Sequence, residues 1–149
     1  MWKMGRFPFP KTVVNLIKTL FYDSIYIVIK RRIVNMKKIP TKINKLLEKF
    51  TKDVNDIFGD RAKKIILYGS YARGDFNKNS DIDIMILTDL KNDEIPEFQD
   101  KIWDCAYDIE AENNIIVSVL VKNIDRFNYW LEALPFYMNV QKEGVVLNG

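Results

Sequence analysis

At 149 residues, 48% hydrophobic and 13% aromatic, the chain supplies enough material for one packed globular unit. Its net charge of +3 is unevenly spread: residues 1–35 hold seven Lys or Arg against Asp23 alone, whereas residues 36–149 hold sixteen against nineteen Asp or Glu, which makes no strong case for nucleic acid as a partner. Histidine is absent and Cys105 is the single cysteine, which excludes Ser-His and Cys-His triads, His-ligated zinc and an intrachain disulfide, and leaves any chemistry to carboxylates, lysines, hydroxyls or bound hard metals.

The first 35 residues read as a basic and apolar extension outside the catalytic core, with Met36 as the start of the main domain, residues 36–149. The apolar stretch from Leu16 to Ile29 is interrupted by Lys18 and Asp23 and is too short for a comfortable bilayer span. No small-residue cleavage site follows it, so a signal peptide is not indicated, and a surface-lying amphipathic segment stays open. With a lone cysteine besides, a reducing cytoplasm is the expected compartment.

From Lys37, apolar residues recur at helical spacing (Ile39, Ile43, Leu46, Leu47, Phe50, Val54, Ile57) and predict an amphipathic helix ending near Gly59. Lys63 to Tyr68 reads as a buried strand, and Asp81 to Leu87 as a second. Asn92 to Glu112 predicts a long helix with Pro96 in its first turn. Ile115 to Val121, nearly all apolar and β-branched, predicts a central strand. Asn123 is placed to cap a helix through Leu134, Pro135 to start another, and Gly144 to stop it before a short strand at Val145 to Leu147. Strands separated by helices predict an α/β fold, a small sheet packed by helices.

The segment GSYARGDFNKNSDID, residues 69–83, carries the chemistry. Gly69 lacks a side chain, so phosphate oxygens can approach the backbone; Ser70 adds a hydroxyl and opens a short helix whose first amides attract anions. Asp81 and Asp83 lie two apart in a strand, so both carboxylates leave one face, about 7 Å apart at the Cα level. Such a pair suits Mg2+ or Mn2+, with nucleotide phosphates completing the coordination. Ile82, Ile84 and Ile86 then point the other way, into the core. Each feature alone has an ordinary structural reading as a turn, a helix cap or a solvent-facing strand; their joint spacing argues for a nucleotide and metal platform.

This Gly-Ser followed after ten residues by Asp-x-Asp resembles the signature of the DNA polymerase beta-like nucleotidyltransferase superfamily, in its minimal single-domain, antitoxin-like branch. The resemblance spans about residues 37–125. It implies the polymerase beta-like fold with a mixed sheet, triphosphate binding by Gly69 and Ser70, and Mg2+ held by Asp81 and Asp83. Arg73 matches a position near the phosphates, or serves as an ion-pair partner for Asp75. The resemblance further implies ATP as substrate, AMP transfer to a hydroxyl of a partner protein, and a HEPN-type toxin as that partner, or else a catalytically degenerate relative that neutralises a toxin by binding it.

One departure bears on turnover. Active members place a third carboxylate on the next central strand, where this chain has Ser118 in an acid-free run. Asp108, Glu110 and Glu112 are the upstream candidates to replace it, though they read more naturally as the exposed side of a helix end. Trp103, Cys105 and Tyr107 are expected to pack in the core. The aromatic-rich stretch from Phe127 to Met138 exceeds what one small core needs and is read as core packing or as a partner interface.

Overall fold

The computed structural model describes residues 39–148, together with Tyr26. The chain divides into two units, Met1–Val34 and Asn35–Gly149, and the second carries the sheet with the helices that pack on it. The expectations for the basic extension and its apolar stretch lie outside the described residues. Among those residues no helix is long and apolar enough to cross a membrane.

Helix α1, Thr41–Phe58, begins four residues after the predicted start. Pro40 is extended (φ −57°, ψ 143°) and biases Ile39 before it away from helical geometry, so the periodic pattern from Lys37 cannot be helical throughout. Ile43, Leu47, Phe50, Val54 and Phe58 form its buried stripe. Gly59, at φ +54°, turns the chain into a short 3₁₀ segment and then strand β1, Ala62–Tyr68. Helix α2, Gly69–Arg73, is one turn long and ends at Gly74, whose left-handed φ of +81° lets its N–H reach Ser70 O at 2.8 Å.

Strand β2, Ile82–Thr88, leads to helix α3, Ile95–Asn113, with Pro96 in its first turn and Asn114 left-handed after it. Strand β3, Val117–Asn123, starts two residues later than predicted. Helix α4, Ile124–Trp130, is capped as foreseen: Asn123 Oδ1 accepts from Arg126 N at 2.9 Å. It stops short of Leu134, which precedes Pro135 and is therefore held extended (φ −110°, ψ 110°). Helix α5, Pro135–Glu143, and strand β4, Val145–Val146, close the unit.

The sheet order is β3-β2-β1-β4, with β2 and β3 parallel and the other pairs antiparallel. This is the small mixed sheet expected of the fold class. One face carries Ile65 and Leu67 of β1, Ile82, Ile84 and Ile86 of β2, and Val117, Val119 and Val121 of β3, and it is fully covered by α1 and α3. On the other face, Ile66, Met85 and Leu87 pack with Phe127 and Val140 from α4 and α5. That second cluster is smaller. On the same parity ahead of Met85 stand Asp83 of β2 and Asp81, which lies one residue before the strand although the sequence pattern starts the strand there; both are half-buried, so the apolar cover gives way to carboxylates at this end of β2.

The tail is fixed by side-chain as well as strand bonds. Asn148 Oδ1 accepts from Ile65 N at 2.6 Å, its Nδ2 donates to Ala62 O at 3.4 Å, and Leu147 N reaches Ile65 O at 2.7 Å. Phe50, 1% exposed, anchors α1 in the larger core. Phe50→Ala is expected to cost about 3–5 kcal/mol, read as a lowered urea midpoint with a nearly unchanged slope.

Candidate active site

The antiparallel pairing of β1 and β2 sets Tyr68 opposite Asp83, and the parallel pairing of β2 and β3 sets Ser118 opposite Asp83 on the other side. One row across the sheet thus reads Tyr68, Asp83, Ser118. Gly69 follows Tyr68 with φ +69°, a conformation L side chains rarely adopt. A Cβ built there would collide with Asp83 Oδ2 and lie 3.2 Å from its Cγ. The residue type is therefore dictated twice, by backbone angle and by the carboxylate pressed against it.

Ser70 is half-buried in the first turn of α2, and its hydroxyl makes no hydrogen bond among the described residues. Tyr71 and Ala72 are buried beneath, and Tyr71 stacks on Phe76 with centroids 4.5 Å apart and planes at 9°, tying the loop between α2 and β2 to the core. Arg73 Nε donates to Asp75 Oδ2 at 3.1 Å, and its Nη1 lies 3.9 Å from Glu143 of α5. The Arg73–Asp75 pair is exposed, so it contributes little and can be exchanged for a stronger anion at small cost.

The electrostatics follow from this packing. Burial raises the Asp83 carboxyl above its ordinary pKa, the Asp81 charge raises it further, and Arg73 opposes both. The Tyr68 phenol is pushed up to about 12, first by burial and then by Asp83, so it stays protonated at any physiological pH. Burial and then the Asp81 charge push the Tyr71 phenol up as well. Asp83 and Asp81, the latter just ahead of the strand and close enough to raise the Asp83 pKa, form a donor set that fits a hard divalent cation. Among the described residues no group of three His, Cys, Asp or Glu side chains converges, so Asp81 and Asp83 could hold such an ion only with oxygens brought by a ligand or water.

The family model for the nucleotidyltransferase domain matches residues 47–147, which takes in α1 from its middle, the whole sheet and every residue of this site. The chain belongs to the nucleotidyltransferase domain family. Among relatives of this nucleotidyltransferase in Methanocaldococcus jannaschii, "Putative protein adenylyltransferase MJ0604" is 34% identical over 69% of the chain and 95% of its own length. A second from the same organism, "Putative protein adenylyltransferase MJ0141", is 38% identical over 54% of the chain and 79% of its own length. Two solved toxin–antitoxin structures, a mutant MntA–HpeT pair and one with AMP-PNP, are 22% and 23% identical, with TM-scores of 0.46 and 0.45. The first covers 69% of the chain and 73% of its own, the second 68% and 73%. Likeness at that level decides nothing for this nucleotidyltransferase.

None of the upstream acids lies beside Asp83 and Ser118 on the sheet, although Glu110 lines a cavity with Asp81. Helix α3 packs on the fully covered sheet face, whereas Asp83 and Ser118 belong to the opposite one. Glu110 Oε1 accepts from Val117 N at 2.8 Å, Glu112 pairs with Lys49 at 3.6 Å, and Asp108 is exposed.

Trp103 and Tyr107 also depart from expectation. They are 50% and 68% exposed, because the buried stripe of α3 runs through Ile102, Ala106 and Ile109, and each aromatic stands one residue, about 100°, beyond it. Cys105 does pack against the larger core. The stretch from Phe127 to Met138 divides: Phe127 is buried and Leu131 and Tyr137 support the smaller core, while Trp130, Leu134, Phe136 and Met138 are exposed. Sequence reasoning missed Tyr68, although strand parity places it on the face of Asp83. It also missed Glu143, for which nothing local gave a signal.

Gly69→Ala is expected to destabilise the protein by more than the ~1–2 kcal/mol of a left-handed backbone alone. In an Asp83→Ala background the collision is gone. The double-mutant cycle should then show a coupling of about 0.5–3 kcal/mol, measured by chemical denaturation; strict additivity would mean that Gly69 and Asp83 do not touch.

Proposed function

We propose that this nucleotidyltransferase uses ATP and Mg2+ to transfer AMP to a hydroxyl of a partner protein, and that the partner is a HEPN-type toxin. The observation that carries the reading is the contact between Gly69 and the Asp83 carboxylate: backbone open to phosphate and a cation-binding oxygen lie against one another. Family membership supports nucleotidyl transfer. The names of the archaeal relatives support a protein as acceptor. The toxin partner rests on the resemblance of the Gly-Ser and Asp-x-Asp segment to the antitoxin-like branch.

In this reading Gly69 and Ser70 hold the β- and γ-phosphates, with the Ser70 hydroxyl free to donate and Arg73 exchanging Asp75 for a phosphate oxygen. Asp81 and Asp83 would hold Mg2+, which when bound offsets the charge of the phosphates. The acceptor oxygen forms a bond to the α-phosphorus as the bond from that phosphorus to the bridging oxygen breaks, and pyrophosphate leaves with that oxygen. The acceptor proton passes to solvent, since Ser118 offers no carboxylate to receive it.

The position of Ser118 beside Asp83 favours one second reading: a degenerate nucleotidyltransferase that neutralises its toxin by occlusion. Incubation with labelled ATP, Mg2+ and a candidate HEPN protein separates the two. Transfer predicts label on the HEPN protein, reduced at least ~10²-fold by Asp81→Asn with Asp83→Asn; equal labelling by the double variant would remove the catalytic assignment, and protection that survives in it would favour occlusion. Ser118→Asp should raise the labelling rate at least ~10-fold by restoring a base across from Asp83, followed in the same assay as initial rate.

A further inference from the structure

In-line displacement at phosphorus fixes the direction from which an acceptor must come. On the reading above, pyrophosphate leaves over the β1 end, at Gly69 and Ser70, and the α-phosphorus sits at the β2 carboxylates. The attacking hydroxyl therefore enters from the far side of β2, which is the side of β3. Among the described residues β3 is an outer strand of the sheet, with no strand beyond it on that side.

The surface along that edge carries exposed aromatic and apolar side chains. Trp103 Nε1 donates to Val119 O at 3.4 Å, which lays the indole beside the open edge while half of it stays in solvent. Tyr107 is one helical turn nearer the start of β3, and Ile116, just ahead of β3, is 56% exposed. Ile116 also lines a cavity of about 620 Å³ whose wall includes Asp81 and Glu110 together with Lys42 and Lys78. Trp103, Tyr107 and Ile116 thus stand exposed near the edge strand, and Ile116 shares a cavity with a metal-ligating candidate. Asp100, Asp104 and Asp108, four residues apart, stand exposed on one side of α3 next to these aromatics and form no ion pair among the described residues, while the exposed Lys101 pairs with Glu97.

We infer that the β3 edge with Trp103, Tyr107 and Ile116 is the docking surface for the acceptor protein, and that it takes a basic, apolar polypeptide segment bearing the acceptor hydroxyl. The three aspartates select against nucleic acid, whose phosphates they repel, and for Lys or Arg flanking the acceptor. The aromatics supply desolvated area with few rotatable bonds, as protein interfaces use. The inference rests on the transfer reading for its direction, and on the exposed edge for its chemistry.

The test is binding by the full chain, read as fluorescence anisotropy, with three probes: the labelled peptide Arg-Arg-Leu-Tyr-Val-Arg, its charge-reversed counterpart with Glu for Arg, and a single-stranded oligoribonucleotide. The basic peptide should bind at least about tenfold more tightly than the acidic one, and Tyr107→Ala or Trp103→Ala should each weaken it about fivefold or more. Asp104→Lys with Asp108→Lys should reverse the charge preference, and Trp130→Ala with Met138→Ala should leave binding unchanged. No peptide binding, indifference to Tyr107→Ala and to charge reversal, or displacement of the peptide by the oligoribonucleotide would overturn the inference. Asp83→Asn, outside the cavity that Ile116 lines, separates it from the transfer reading: peptide binding should persist while AMP transfer from ATP is lost. Binding at this edge without any transfer by the unsubstituted chain would support the surface and count against the activity.

Discussion

Much of this structure turns on the space left by one missing side chain. Gly69 ends the run of β1, enters α2 with a left-handed φ, and lies against Asp83, so any Cβ at this position would push the carboxylate aside. The antiparallel register between β1 and β2 is what brings the two together, because Tyr68 pairs with Asp83 and the next residue must turn off the sheet over it. That register is itself held by the apolar alternation of Ile65 and Leu67 with Ile82, Ile84 and Ile86 beneath α1 and α3. A slip of one residue would bring the aspartates to the buried face. The core and the site therefore specify each other.

The sheet's second face explains how acidic residues are tolerated in so apolar a strand. Helices α4 and α5 cover Met85 and Leu87 but not the Asp81 and Asp83 half, leaving a step from dry core to open face within β2. Asp83, at the step, is partly desolvated and beside a like charge, which raises its pKa and makes its ionised form costly to carry without a cation. Tyr68 shares the position and stays neutral. Its ring meets Phe136 edge-on, 5.6 Å between centroids, so the boundary of the site is built from the first turn of α5.

Period and parity made most of this legible in the sequence. The alternation in DIDIMIL gives the face of each aspartate, and the Gly-Ser and Asp-x-Asp spacing gives their neighbourhood. Ser118 could be aligned with Asp83 because two parallel strands of matching apolar pattern admit few registers. What stayed hidden depends on contacts that have no local period. Helix α1 starts late because one proline outweighs a good amphipathic pattern. Trp103 and Tyr107 looked like core residues because counting apolar positions does not say which of two adjacent stripes faces the sheet. Glu110 looked like a spare acid, yet its carboxylate is taken up by the first amide of β3. The pairing of Arg73 with Glu143 spans seventy residues and leaves no trace in either segment.

The two edges of the sheet are unlike. On the β1 side, the two residues of β4 and the Asn148 side chain occupy hydrogen-bonding groups of β1, so the outer strand there is only two residues long. On the other side β3 runs for seven residues, and among the described residues the side chains that bond its flank are Glu110 and Trp103. An outer strand of that length is long enough to accept one more strand. A strand added there would lie next to the row that holds Ser118 and Asp83, so pairing at this margin would be felt at the site.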